Sequence, residues 1–227
     1  MLNETEIANR LHEVRGRMTA AAQEARRAPA SVRLVLASKT QPAEAIAAAY
    51  AAGVREFGEN YVQEAVTKRA ALASYDIGWH LIGHLQSNKA RVAAETFHII
   101  QTLDSERLAA AFFRLHRSPP MPVLIEINLA GEASKSGVAP HQAEALIEKV
   151  RDQVEIQGLM AIPPVAADPD AARPYFSRLR ELRNRLATAT GLTLDELSMG
   201  MTDDFEDAIA EGATIVRVGR AVFGERP

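Results

Sequence analysis

The chain has 227 residues, a formal net charge of −3, 47% hydrophobic and 24% charged residues, and no cysteine. That length and balance suit one large globular domain or two small ones. The missing cysteine excludes disulfides, thiolate nucleophiles, zinc fingers and iron–sulfur clusters, and the missing basic excess argues against a nucleic-acid surface.

Residues 3–28 are predicted helical. Ile7, Leu11, Val14 and Met18 share one face at spacings of four, three and four, Asn3 or Thr5 is placed to cap, and Pro29 follows. The start MLNETEIANRLHEVRGRM lacks the apolar core of a signal peptide. No run approaches the roughly 18 apolar residues of a membrane helix, so a cytoplasmic protein is expected. Beyond Pro29 the chain alternates. Apolar runs at 32–38, 54–57, 78–82, 97–102, 122–128, 154–161, 194–198 and 213–218 read as strands. Helical segments fall near 42–52, 60–73, 87–95, 105–117, 140–152, 170–190 and 203–211, with Pro42 and Pro140 at first turns. TDDFEDAIAEG opens on Thr202, has acids in its first turn and stops at Gly212. The Pro-rich IPPVAADPDAARP, 162–174, reads as a loop. Strand–helix alternation implies a parallel sheet. Eight repeats imply an α/β fold closed as a (β/α)8 TIM barrel, lean against the roughly 250 residues typical of it. An open doubly wound sheet is the alternative. One domain over 1–227 is expected, with the extra N-terminal helix covering one end of the barrel.

In such a barrel the active site lies at the C-terminal ends of the strands. Strand one runs LVLA straight into Ser38 and Lys39. A lysine there is either a surface residue with its ammonium in water or an amine in a partly dry mouth, able to form a Schiff base with a carbonyl, as in barrel aldolases too. Loops after strands seven and eight are the usual phosphate site. Here they read SMGMT and VGRAVFG, offering Ser198, Gly200, Gly219 and Arg220. Arg217 interrupts the apolar strand eight, and a buried arginine needs a partner. An ion pair with a barrel acid such as Glu126 is the plain alternative. An imine lysine, a phosphate cup and an internal arginine together point to pyridoxal 5'-phosphate (PLP). Other motifs fail. Gly219 and Gly224 have Walker A spacing but lack the following Lys and Ser/Thr, and His80 and His84 lack the zincin glutamate. Lys135, in INLAGEASKSG, reads as a solvated loop residue.

LASKTQP, FGENYVQE, WHLIGHLQSNK, INLAGEASKSGV, GLMAI and LSMGMTDDFEDAIAEGATIVRVGRAVFG, in that order along nearly the whole chain, resemble the YggS/PROSC family of PLP homeostasis proteins. The resemblance implies a barrel like the N-terminal domain of alanine racemase that holds PLP as an internal aldimine. Lys39 would be the Schiff-base lysine. Ser198, Gly200, Gly219 and Arg220 would hold phosphate, Arg217 would face the pyridine nitrogen, and Asn60 and His80 would line the cofactor. Many members carry a small hydroxyl residue after the strand-eight glycine. Arg220 stands there instead, leaving the phosphate a backbone N–H, or the guanidinium if it turns inward.

Racemisation needs an acid/base on each face of the substrate Cα. No second domain is expected to supply the opposite one, and of the four tyrosines, Tyr50, Tyr61, Tyr75 and Tyr175, none reads as standing at a strand end opposite Lys39, Tyr61 being the nearest candidate. Arginine is effectively never deprotonated, so Arg217 would leave the ring nitrogen unprotonated and the ring a weak electron sink. The expectation is a monomeric PLP carrier, with PLP-dependent apo-enzymes as recipients and no resident metal. A weak amino-acid racemase or decarboxylase is the alternative.

Overall fold

The computed structural model describes residues 3–132, 136–164 and 172–224. Lys135 and part of the Pro-rich loop lie outside them. Eight parallel strands close a barrel in chain order: β1 (Arg33–Ala37), β2 (Glu56–Glu59), β3 (Gly78–Leu81), β4 (Ile99–Leu103), β5 (Pro122–Glu126), β6 (Glu155–Met160), β7 (Glu196–Ser198) and β8 (Ile215–Val218). Closure is direct. β1 pairs with β8 from Arg33↔Ile215 to Leu36↔Val218, which excludes the open sheet. Each predicted strand appears; most are trimmed at their ends, while β2 and β4 start two residues late and run two and one residues past the predicted 54–57 and 97–102.

The helices are α1 (Glu4–Glu24), α2 (Ala43–Ala51), α3 (Val62–Ala71), α4 (Ala90–Thr96), α5 (Glu106–Phe113), α6 (Ala143–Val150), α7 (Arg173–Thr190), α8 (Phe205–Ala210) and α9 (Arg220–Phe223). The predicted 87–95 helix starts as a 3-10 turn at Ser87–Lys89, because Ser87 and Asn88 favour turns over helix interior. The predicted 105–117 helix stops at Phe113, ahead of His116 at φ 50° and a cis Ser118–Pro119 bond.

The N-terminal helix is not where it was expected. It does not cover a barrel end; it lies on the flank, against α2, α8 and α9. The reason is geometric. Among the described residues helices α2 to α8 follow β1 to β7, but β8 is followed only by the four-residue α9. An apolar gap would remain in the outer ring, and α1 fills it with buried Ile7, Leu11, Val14, Met18, Ala21 and Ala22. Asn3 caps α1 in a capping box with Glu6. Arg27 fastens its C-terminal end by donating to the carbonyls of Ile209 and Ala213, both at 2.7 Å.

Parallel strands in a barrel are buried on both faces. One parity meets the helices and forms the main core. The other meets the barrel axis, where Val35, Ile99, Leu124, Met160 and Ile215 make a small separate apolar cluster. At the strands' N-terminal end Arg33 bridges Glu56 at 2.9 Å and Glu196 at 2.8 Å, closing that end with charge.

Candidate cofactor site at the barrel mouth

The site residues stand at the opposite, C-terminal end. Val35 and Ala37 share the inward parity of β1, which continues to half-buried Lys39. Ser38 to Gln41 form a turn closed by the Gln41 N–H donating to the Ser38 carbonyl at 3.0 Å. Thr40, its third residue, has φ 66°, a conformation turns normally assign to Gly or Asn. Three side chains from outside the barrel hold this turn. Lys68 on α3 donates to the Ser38 carbonyl at 2.7 Å, to Glu59 Oε1 at 2.7 Å and to Glu64 Oε1 at 2.6 Å. Glu64 Oε1 also accepts the Thr40 N–H at 2.6 Å, and the Ser38 hydroxyl donates to Glu59 at 2.6 Å. Burial pushes the Glu59 carboxyl up, against the bonds from Lys68 and Ser38 that pull it down.

Arg217 lies inside β8 on the barrel side and is 4% exposed. It does not pair with Glu126. Its Nη1 donates to Ser198 Oγ at 2.5 Å and its Nη2 to the Ala161 carbonyl at 3.0 Å. Burial lowers it to about 10, against the pull of Asp204 and Glu126, so it is cationic at neutral pH. Behind it runs a polar chain whose direction is fully determined. Arginine only donates, so the Ser198 hydroxyl accepts there and donates to Gln101 Oε1 at 2.6 Å. The Gln101 amide therefore turns its Nε2–H to His80 Nδ1, 2.9 Å away. His80 must then be neutral with its proton on Nε2. Burial, helped by the charges of Arg33 and His98, lowers its pKa to about 3.

The predicted residues thus fall into two groups. Lys39, Asn60, Gly200, Gly219 and Arg220 reach the mouth. Ser198, Arg217 and His80 form the buried layer beneath it, and the Ser198 hydroxyl expected at a phosphate is engaged by Arg217 and Gln101. Arg220 is exposed, its guanidinium bonded to Asp203, rather than turned inward. Gly200 has φ 90°, and a Cβ there would lie 2.5 Å from that of Ala208; one on Gly219 would lie 3.1 Å from the Ala37 carbonyl. Both loops need bare backbone. Tyr61 is 63% exposed on the rim, Tyr50 stacks edge-on with Tyr75, and Tyr175 lies in α7. Among the described residues no group of three or more candidate ligands could hold a metal, and no helix is long and apolar enough to cross a membrane.

Besides Glu59 Oε2 on the outer face of β2, two buried polar atoms near the mouth lack a hydrogen-bond partner among the described residues, Asn60 Oδ1 and Glu126 Oε2. They follow Gly58 and Leu124 on the inward parity. Burial raises the Glu126 carboxyl, opposed by a bond from Ser136 and reinforced by Asp104. An amine-bearing turn, a buried cation and glycine loops beside unpaired acceptors fit a polar, aldehyde-bearing ring with an anionic group. Sequence reading missed Gln101, Lys68 and Glu64. Gln101 had a signal, as a lone amide within the apolar IIQTL; the other two read as an ordinary helix-surface pair.

Residues 10–227 match the family described as alanine racemase, N-terminal domain. A pyridoxal phosphate homeostasis protein of Pseudomonas aeruginosa is 47% identical over 224 residues, covering 97% of this chain and 96% of that protein. A Bifidobacterium adolescentis crystal structure of an unknown protein superposes with a TM-score of 0.91 at 40% identity, covering 98% of both chains. PipY of Synechococcus elongatus, solved with PLP bound, superposes with a TM-score of 0.82 at 40% identity, covering 96% of this chain and all of that one. A barrel with a lysine turn and two glycine loops at one mouth and a buried arginine beneath them, at these identities over nearly its whole length, belongs to the pyridoxal phosphate homeostasis protein family.

Proposed function

We propose that this chain binds PLP at the C-terminal mouth of its barrel and serves intracellular PLP homeostasis, holding and supplying the cofactor rather than turning over substrate efficiently. The observation that carries the reading is the buried, anchored Arg217, two residues before the Gly219 loop and on the strand paired with β1. Bound PLP supplies an aldehyde for amines and an electron-withdrawing ring. Lys39 captures the aldehyde. Gly200 and Gly219 offer bare backbone to the phosphate, and Arg220 joins them through its N–H, since its side chain turns to Asp203. Arg217 has spent two of its five N–H donors and presents the rest toward the ring nitrogen. Asn60 supplies its unpaired carbonyl oxygen. His80 acts one layer below, through Gln101 and Ser198. The chain works as one domain in the cytoplasm, as a monomer that hands PLP to apo-enzymes, without nucleic acid or membrane.

Arg217 also argues against efficient carbanion chemistry, because it cannot take a proton from the ring nitrogen. One observation favours a second reading, a weak racemase: Glu126, on the strand across the barrel from β1, has a raised carboxyl and an unpaired oxygen, as an acid/base needs. Two measurements decide. Adding PLP should produce the imine absorbance band, and borohydride should fix the label on Lys39; a label on Lys89 or Lys135 rejects the site. Alanine incubated with loaded protein in deuterated water should keep its Cα hydrogen; exchange at enzymatic rates establishes the second reading.

A further inference from the structure

The turn carrying Lys39 is gripped from both sides by one helix. The carbonyl before Lys39 accepts Lys68 Nζ at 2.7 Å, and the N–H after it, on Thr40, donates to Glu64 Oε1 at 2.6 Å. Both side chains stand on α3, one turn apart, and are joined to each other at 2.6 Å. Glu59, fully buried at the end of β2, ties the same ammonium to the Ser38 hydroxyl. Lys68 is 7% exposed, and its three N–H donors meet three acceptors.

This network, satisfied except at Glu59 Oε2, centres on the one strained residue beside Lys39. A β-branched residue at positive φ persists only where its surroundings over-determine it. We infer that Lys68 and Glu64, backed by Glu59, are positioning residues for Lys39. They hold the Ser38–Gln41 turn in the conformation that aims the Lys39 amine at the aldehyde. This rests on the reading of Lys39 above. The step they assist is balanced without an oxidant. The neutral Lys39 nitrogen bonds to the aldehyde carbon, and the carbonyl oxygen leaves as water with the two amine hydrogens. The network touches neither the phosphate loops nor Arg217, so it should affect capture and leave the rest of binding alone.

The test pairs two probes. PLP reports capture plus binding. Pyridoxine 5'-phosphate has an alcohol in place of the aldehyde and reports binding alone. In folded Lys68→Met, capture of PLP should weaken about ten- to a hundredfold, the range for losing a hydrogen bond to a charged group, while pyridoxine 5'-phosphate affinity stays near the wild-type value. Glu64→Ala, at a half-buried position, serves where Lys68→Met does not fold. It removes the Thr40 acceptor but leaves Lys68 two others, and should speed Thr40 amide hydrogen exchange in the apo-protein as well as weaken capture. Adding Thr40→Gly should restore part of the capture, because glycine adopts the turn without strain. Unchanged PLP capture in the folded variants, or equal losses for both probes, overturns the inference. A wild type that binds both probes but forms no adduct at Lys39 overturns the reading of Lys39, and the inference falls with it.

Discussion

Two buried cations of this protein are treated in opposite ways. Lys68, between the sheet and α3, meets two carboxylates and a carbonyl. Arg217, inside the barrel, hydrogen-bonds a hydroxyl and a carbonyl, and no carboxylate among the described residues. Asp204 and Glu126 support it only from a distance. A buried charge neutralised by contact is committed to structure, and removing it leaves its partners as uncompensated charges. One held by neutral dipoles keeps its field for whatever enters the mouth. The difference marks Lys68 as part of the frame and Arg217 as part of the site.

The largest effect expected is on the frame. Lys68→Met strands Glu59 and Glu64, and should lower unfolding free energy by about 3–5 kcal/mol, read by urea denaturation. A loss below about 1 kcal/mol would mean the network behaves like a surface pair, and the contrast would collapse.

Next is the pH response of the layer under Arg217. The folded pKa of His80, about 3, lies below its ordinary 6.5. A depressed basic group means that the unfolded chain binds the proton first. The stability is therefore complete above about pH 6.5 and lost as pH falls toward 3. By pH 4 the loss should reach about 3 kcal/mol. Glu59, Glu126 and Asp204 have raised values, so their contributions run the other way, being present at low pH and lost as pH rises through their shifted range. Comparing wild type with His80→Gln cancels them. Parallel stability–pH curves for the two proteins would reject a neutral His80. Protonation at Nδ1 would also set two donors face to face, forcing Gln101 to flip and release Ser198. PLP affinity should therefore fall in the same window.

The contrast between the two cations was only half legible in the sequence. Lys39 and Arg217 stood out because one directly follows an apolar strand and the other interrupts one, and the parity of strands buried on both faces places such charges. Eight such runs, punctuated by Pro42, Pro140 and Gly212, were enough for the barrel. What periodicity cannot show is what covers a face, so α1 was expected over an end and is found filling the gap beside α8. The polar partners were hidden for the same reason. Gln101 and Ser198 are 97 residues apart and meet only because the barrel closes. Glu64 and Lys68 have the spacing of a solvated helix pair, and only the placement of α3 against the Ser38 turn makes them a buried clamp.

Arg217→Met sharpens the comparison from the other side. It removes a buried cation without stranding a carboxylate, leaving chiefly the Ala161 carbonyl unpaired. Stability should fall by only about 1–2 kcal/mol, measured as for Lys68→Met, while PLP affinity drops about tenfold or more. A loss of stability as large as that of Lys68→Met would place Arg217 in the frame after all.

The smallest effect tests where the Ser198 hydroxyl is spent. It is fully buried, accepts from Arg217 and donates to Gln101. If that is its role in the loaded protein, Ser198→Ala loosens the anchor of Arg217 and never touches phosphate. An ordinary hydrogen bond contributes about 0.5–1.5 kcal/mol, so affinity should fall roughly two- to tenfold. The fall should be the same for PLP and for pyridoxal, which lacks the phosphate, because both present the same ring nitrogen to Arg217. A hydroxyl that reached the phosphate would act on PLP alone. The ratio of the two affinities in wild type and Ser198→Ala, from titration of the absorbance change, separates the cases. An unchanged ratio keeps Ser198 beneath the mouth with Arg217, and a ratio that falls toward one moves it up into the phosphate loop.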